Sequence, residues 1–139
     1  MSFSEHLEMY VYMSENETAI EGSVSELMNI AEYIQQARTG SKKSYELSQL
    51  ATAEPYSTLL EELIFNCNGS KIKGSLEGNS LIIEFSEETA DVVASYFEFE
   101  EESIHGHHYH FDQYGSENYF ETSSIDMVVK VSTHNKVIE

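Results

Sequence analysis

The apolar residues of this chain switch twice from the alternating spacing of strands to the three- and four-residue spacing of helices. Before the first switch, Ser23 and Glu26 have the Ser-x-x-Glu spacing of a capping box, in which each side chain satisfies backbone groups at a helix start. The apolar residues that follow at helical spacing are Leu27, Met28, Ala31 and Ile34. The pattern predicts a helix over 24–38, with Arg38 placed favourably in its last turn.

A second helix is predicted after Ser86, where Glu87 and Glu88 put acidic side chains into the first turn. Negative charge is favoured there because the helix dipole is positive at the N-terminus. The apolar stripe of this helix consists of Ala90, Val93, Ala94 and Phe97. We expect these four side chains to be buried.

Alternating or β-branched segments surround both helices and predict strands. These segments span 6–13, 18–21, 62–67, 71–76, 80–85, the histidine-rich stretch 104–112 and 125–131. The turn pairs Asn68-Gly69 and Gly78-Asn79 predict a three-stranded meander over 62–85, with the third strand in a central position. Residues 39–58 are polar and are interpreted as a connection, either a short helical turn or an ordered loop.

These elements predict an α+β fold with a mainly antiparallel sheet of about six or seven strands and two helices packed on one face. The other face of the sheet is then left open to solvent or a partner. A strand that runs directly into a helix occurs twice, so a βαββ duplication over 18–85 and 81–131 is a further possibility. The 139 residues, 40% of them hydrophobic, and a single proline predict one domain over residues 1–139.

The chain carries 25 acidic and 7 basic residues, for a formal net charge of −18. Such a surface repels phosphate backbones, so we expect no nucleic-acid partner. It favours encounter with a basic protein, although solubility alone is the simpler explanation. Cys67 is the only cysteine and lies in an apolar segment, which predicts a buried structural thiol. Without a signal peptide or an apolar stretch of membrane-spanning length, the sequence predicts a cytoplasmic protein with no membrane association.

Four of the six histidines fall between positions 105 and 110. If this segment is a strand, alternation places His108, His110 and Asp112 on one face together with Tyr114. Two imidazoles and a carboxylate are a common metal-ligand set, and a further histidine would have to come from His134 or, less favourably, His6. A metal-binding domain or metal-dependent enzyme is therefore the alternative function.

The same strand also fits two simpler interpretations. Its histidines could hydrogen-bond neighbours on an open sheet face, or they could belong to a protein-recognition surface, where aromatic and amphipathic rings dominate binding. Tyr10 and Tyr12 would join that surface if their strand lies in the same sheet. The acidic run Glu98, Glu100, Glu101 and Glu102 is either a solvated helix end or a docking edge for a basic partner. No nucleophile–base spacing or glycine-rich phosphate loop is present, so we expect neither catalysis nor a cofactor.

Three segments resemble one family of bacterial proteins. They are Ile20-Glu21-Gly22 before the capped helix, His108-x-His110-x-Asp112, and Ser124-Ile125-Asp126-Met127-Val128-Val129. Together they are similar to immunity family thirty-two of polymorphic toxin systems, whose final strand has leucine where this chain has Met127. The resemblance implies a small cytosolic antidote that binds a co-encoded toxin and occludes it. It carries over no catalytic residue and marks His108, His110 and Asp112 as positions of the family pattern.

Overall fold

The computed structural model describes residues 5–6, 9–13, 18–47, 58–99, 108–110, 120 and 125–131. It confirms the α+β class. The strands are β1 (Glu5–His6), β2 (Tyr10–Met13), β3 (Thr18–Gly22), β4 (Lys42–Glu46), β5 (Thr58–Leu59), β6 (Glu62–Cys67), β7 (Lys73–Glu77), β8 (Ser80–Phe85), β9 (His108–His110) and β10 (Met127–Val131). The helices are α1 (Val24–Gln36) and α2 (Ala90–Ser95).

The strands form two sheets, so the expectation of one sheet with six or seven strands is wrong. Sheet A has the order β1-β4-β6-β8-β7, and sheet B has the order β5-β2-β3-β10-β9. Each sheet consists of longer strands plus one two-residue strand at an edge, β1 or β5. The mainly antiparallel expectation holds only in part, because β1–β4, β6–β8 and β3–β10 pair in parallel.

The predicted strand over 6–13 is divided between the two sheets. β1 pairs with β4 in sheet A, whereas β2 pairs with β3 in sheet B. Met9 and Val11 are fully buried, as their alternation predicted. β2 pairs antiparallel with the next strand, β3, so the two form a hairpin.

Part of the connection predicted over 39–58 is instead a strand. β4 pairs antiparallel with β6 along five residue pairs. Sequence periodicity missed it because Tyr45 is the only buried residue among five mostly polar ones. Leu47 is also buried, and positions 48–57 lie outside the described residues.

The meander over 62–85 is wrong at its first link. β7 and β8 form the predicted hairpin through the turn at Gly78, where φ is 61°. β6, however, pairs in parallel with β8, so the connection at 68–72 passes across the end of β8 to reach β7. The central position expected for the third strand is correct, since β8 lies between β6 and β7.

The first helix begins as the sequence predicted, whereas the second begins at Ala90, so that Glu87 and Glu88 lie in the turn before it and Asp91 is the acidic residue of its first turn. Ser23 Oγ accepts a hydrogen bond from Glu26 N at 3.2 Å, and Glu26 Oε1 accepts one from Ser23 N at 3.2 Å. The first helix ends at Gln36, so Arg38 lies outside its last turn. Arg38 Nη1 nevertheless donates to the carbonyls of Gln36 and Ala37, both at 3.2 Å, which satisfies acceptors at the helix end.

One hydrophobic core joins both sheets and both helices. α1 buries Leu27, Ile30, Ala31 and Ile34, while α2 and the residue positions just after it bury Ala90, Val93, Ala94 and Phe97. Phe97 meets Phe65 of β6 edge-on, with ring centroids 5.7 Å apart, and Phe65 meets Tyr45 of β4 at 6.0 Å. This aromatic chain fixes the end of α2 to the inner face of sheet A.

Among these elements, two ββαββ units repeat the same order. The first unit is β2, β3, α1, β4 and β6, and the second unit is β7, β8, α2, β9 and β10. The two-residue strand β5, which lies between β4 and β6, has no counterpart among the described residues of the second unit. Each sheet combines the first hairpin of one unit with the last strand pair of the other. The repeating unit therefore differs from the expected βαββ, and its boundary lies between β6 and β7.

The strand registers repeat together with the elements. A shift of 63 positions, the spacing from Ser23 to Ser86, converts every pair of the β2–β3 hairpin into a pair of the β7–β8 hairpin. Tyr10 beside Glu21 becomes Lys73 beside Glu84, for example. The same shift moves the buried positions of α1 onto Ala90, Val93, Ala94 and Phe97.

Candidate functional site

The outer face of sheet B collects several of the residues predicted to bind a partner. One row of register partners runs from Tyr10 to Glu21, then to Lys130, and ends at His108. Register partners on neighbouring strands project to the same side of a sheet. We call this surface the tyrosine–histidine face. His108 is exposed, and the other three residues of the row are half-buried.

A second row on this face runs from Tyr12 to Ala19, Val128 and the register position of His110. Ala19 and Val128 are only 3% and 1% exposed. The large side chains of the face therefore stand around a centre of small, buried residues. Tyr10 and Tyr12 lie on one side of this centre, and β9 lies on the other.

The lysine of this face already has an aromatic neighbour. Lys130 Nζ donates to the hydroxyl of Tyr12 at 3.4 Å and lies 5.7 Å from the centroid of its ring. This is within the range of a cation–π contact. Because Lys130 and Tyr12 are two strands apart, their contact crosses β3 above Ala19. Neither Lys130 nor Glu21 was predicted from the sequence as a binding residue, although the alternation of side chains along their strands could have placed them on this face.

The two ββαββ units allow the two outer sheet faces to be compared position by position. The positions equivalent to Tyr10, Tyr12, His108 and His110 carry Lys73, Ser75, Lys42 and Ser44 in sheet A. Aromatic and imidazole side chains thus occur on one face, and short or aliphatic-amine side chains occur on the other. The comparison supplies a matched control position for each of the four residues.

The outer face of sheet A is more open at its centre. Ile64 and Ile82 are half-buried register partners there, whereas their equivalents Val128 and Ala19 are buried. Beside them, the Glu62 carboxylate accepts hydrogen bonds from the hydroxyls of Ser44 and Ser80. The carboxylate is therefore held in one orientation by its own sheet.

Glu98 lies on the helix side of the molecule and not on the tyrosine–histidine face. Its carboxylate accepts a hydrogen bond from Gln35 Nε2 at 2.5 Å, which ties it to the end of α1. The next residue, Phe99, stacks on Tyr109 with centroids 4.6 Å apart and ring planes at 21°. Tyr109 is 44% exposed and is the large hydrophobic residue that stands out at the surface of the described chain.

The helix side is strongly acidic. Its exposed or half-buried acidic residues, within the described part of the chain, are Glu26, Glu32, Glu87, Glu88, Asp91 and Glu98. The basic residue among these helices and their flanking turns is Arg38, which is exposed. Part of the negative charge predicted from composition therefore lies on the helix side, which contacts the edge strand β9 where Phe99 stacks on Tyr109.

Several predicted residues lie outside the described residues. They are Glu100, Glu101, Glu102, Asp112, Tyr114 and His134. His6 pairs with Glu46 in sheet A, so its backbone belongs to the other sheet from His108. Within the described residues, no three His, Cys, Asp or Glu side chains are grouped closely enough to hold a metal ion. The metal set that includes Asp112 stays a prediction.

Cys67 is fully buried, as its apolar context predicted. Burial raises the pKa of its thiol, the negative charge of Glu87 raises it further, and Arg38 acts in the opposite direction. A raised pKa disfavours the thiolate, which is the reactive form. Cys67 therefore has the environment of a structural residue.

No protein-family model matches this sequence, and no curated protein is significantly similar to it. Among the described helices, neither is long and apolar enough to cross a membrane.

Proposed function

We propose that this protein is a non-enzymatic immunity protein, which binds a cognate bacterial toxin domain with a basic surface and blocks it by occlusion. The observation that carries this proposal is the tyrosine–histidine face, on which Tyr10, Tyr12 and His108 stand together beside a strongly acidic helix side. The resemblance of the histidine strand and the last strand to immunity family thirty-two points the same way.

The charge of the protein supplies the first step of the proposed mechanism. A net charge of −18 attracts a basic partner over long distances and speeds its diffusional encounter. The acidic helix side, which includes the exposed Glu32, Glu88 and Asp91, orients the partner before contact. Acidic side chains there take the place of the phosphates or acidic groups that a basic toxin site attracts.

The tyrosine–histidine face supplies the second step, which is close contact. Tyrosine offers a large, stiff ring and a hydroxyl, and both are features of residues that dominate binding at interfaces. Lysine or arginine side chains of the partner can stack on Tyr10 or donate to the neighbouring Glu21 carboxylate in an ion pair. Once the toxin is bound, the immunity protein sterically blocks the toxin from its own substrate.

The test is co-expression with the product of the reading frame immediately upstream, followed by affinity capture. We expect a stoichiometric complex whose dissociation constant increases with salt, because the attraction is screened. Tyr10→Ala should weaken binding by about thirtyfold, which corresponds to the roughly 2 kcal/mol of an interface hot spot.

The equivalent position in sheet A provides the control. Lys73→Ala shortens a side chain at the same register position of the other face, so it should leave binding within about twofold of the unchanged protein. Equal losses from Tyr10→Ala and Lys73→Ala would remove the tyrosine–histidine face from the proposal. The absence of any complex with the upstream product would contradict the immunity function itself.

A further inference from the structure

The two ββαββ units meet at two parallel strand junctions. In one junction, Ile20 of β3 lies beside Val129 of β10, and in the other, Ile83 of β8 lies beside Phe65 of β6. Exchanging the two units converts the first pair into the second, as expected for partners related by a two-fold axis. All four side chains are fully buried. Each junction is therefore both a backbone ladder and a part of the core.

The helices repeat this relation. Gln35 hydrogen-bonds Glu98, and the two residues occupy the same position in their units, 63 positions apart. A contact between equivalent residues is the expected arrangement at a two-fold axis. In the turn before α2, Ser86 and Thr89 also repeat the reciprocal hydrogen bonds of Ser23 and Glu26, since Thr89 N donates to Ser86 Oγ at 3.2 Å and Ser86 N donates to Thr89 Oγ1 at 3.0 Å.

We infer that the chain is a fusion of two complementary units, each of which has the other unit as its partner. That other unit can belong to the same chain or to a second copy. A lone unit would expose the paired side of β3 or β8 and one half of the core, so each unit needs a partner to bury them. This inference concerns self-assembly and stands independently of the proposed immunity function.

The short linker between β6 and β7 decides which copy supplies the partner. Asn68 N and Gly69 N donate to the carbonyl of Phe85, at 3.0 and 3.2 Å, as the linker passes over the end of β8. Gly69 adopts a φ of 85°, which favours glycine. β6 and β7 lie on opposite sides of β8, a separation of about 10 Å, or two strand spacings.

Shortening this linker should force exchange between copies. Deleting residues 69–71 leaves two residue steps from Cys67 to Ile72, a reach of about 7 Å at most, which cannot cover two strand spacings. We expect a dimer of twice the chain mass in light scattering, with the circular dichroism spectrum of the intact protein. A folded monomer would overturn the inference. A chain that does not fold would also overturn it, because both units are complete after the deletion and could still pair with units of a second copy.

A disulfide across one junction reports which copies are paired. Glu21 and Lys130 are register partners on β3 and β10, so Glu21→Cys with Lys130→Cys places two thiols within bridging distance. After oxidation, the intact chain should run as a monomer on a non-reducing gel, and the shortened chain should run as a covalent dimer. A shortened dimer whose disulfides stay within each copy would contradict exchange of units.

A second experiment keeps both units complete. A protease site inserted between Gly69 and Ser70 of the full chain is cut after folding. The two fragments should elute together and recover the original spectrum after dilution from urea. Fragments that separate in native buffer, or that fail to re-form while the uncut inserted chain refolds, would overturn the inference. The same insertion at Gly78-Asn79 is the matched control, because that cut divides a hairpin inside one unit.

Discussion

The hydroxyl of Tyr33 is buried on α1 and has no hydrogen-bond partner among the described residues. Burial raises the pKa of this hydroxyl, with a smaller contribution from Cys67. Lys43 Nζ lies 5.4 Å from the centroid of the Tyr33 ring, so the ring has a favourable neighbour while the oxygen has none. An unsatisfied buried polar group costs about 1–3 kcal/mol.

Tyr33→Phe removes only the unsatisfied oxygen and keeps the ring over which Lys43 lies. We expect the free energy of unfolding in urea to increase by about 1 kcal/mol. Tyr96 occupies the equivalent position in the second unit, and its hydroxyl is not among the buried, unsatisfied atoms of the described chain. Tyr96→Phe is therefore the matched control and should give no gain. A loss of stability in Tyr33→Phe would show that the hydroxyl has a partner.

Glu87 joins the start of the second helical segment to the end of α1. Its Oε2 accepts a hydrogen bond from Thr39 N at 2.8 Å, and this backbone bond is the main reason that the pKa of Glu87 is lowered. A carboxyl whose pKa is lower in the folded state stabilises the protein above its ordinary pKa, and the stabilisation disappears as the pH falls through the folded value.

Glu87→Gln should therefore reduce the free energy of unfolding at pH 7, and the difference from the unchanged protein should shrink at pH 3. The measurement is urea unfolding at both values of pH. Removing any acid also relieves repulsion in a chain of charge −18, so Glu88→Gln serves as the control for the loss of one negative charge. A deficit for Glu87→Gln that is equally large at pH 3 would contradict the role of its ionised form.

At the scale of elements, Gly22 at the end of β3 and Gly74 in β7 each leave room for a methionine. A Cβ atom at position 22 would come within 2.6 Å of Met9 Cγ, and one at position 74 would come within 2.5 Å of Met127 Sδ and Cε. The atoms of Met127 belong to the mobile end of the side chain, whereas Met9 Cγ is fixed close to its backbone.

This difference predicts unequal costs for the same substitution. Gly22→Ala should lower the free energy of unfolding by about 1–3 kcal/mol, the usual cost of overpacking a core. Gly74→Ala should cost less, since the end of Met127 can rotate away. Urea unfolding of both variants tests the order. Gly22→Ala should cost less in a Met9→Ala background than in the unchanged protein, and an equal cost in both backgrounds would place the strain elsewhere.

Local patterns predicted most elements because their physical causes are local. The helix start at Ser23 follows from side chains three residues apart, and the buried stripes follow from helical spacing, whereas α2 begins at Ala90 and not directly after Ser86. Pairing between distant strands has no such local signal. β10 joins β3 across more than a hundred positions, and the meander was wrong because β8 enters between β6 and β7. β4 was missed because only Tyr45 marks its buried side.

The candidate site shows the same division. Alternation was sufficient to place Tyr10 and Tyr12 on one side of their strand, but their position beside His108 depends on the β3–β10 junction. Lys130 enters this face through that junction as well. The sequence therefore predicted which side chains are chemically suited to binding, and the strand order determines which of them share a surface.

For the whole molecule, the net charge of −18 and the intertwined fold have opposite effects on stability. The two junctions bury the core of both units together, while the excess of acidic side chains repels itself in the compact state. Salt shortens the range of this repulsion, with a Debye length of about 30 Å at 0.01 M and about 8 Å at 0.15 M. The isolated protein should therefore unfold at a higher temperature in 0.15 M NaCl than in 0.01 M NaCl.

Binding to a basic partner should respond to salt in the opposite direction, because the same screening weakens attraction between unlike charges. Thermal unfolding of the free protein and calorimetric binding to the captured partner, both measured over 0.01–0.15 M NaCl, test the two signs together. Chloride is suitable because sulfate would also strengthen apolar burial. A complex that tightens with added salt would exclude electrostatic steering, and an unfolding temperature that falls would show that attractive pairs outweigh the repulsion of the acidic surface.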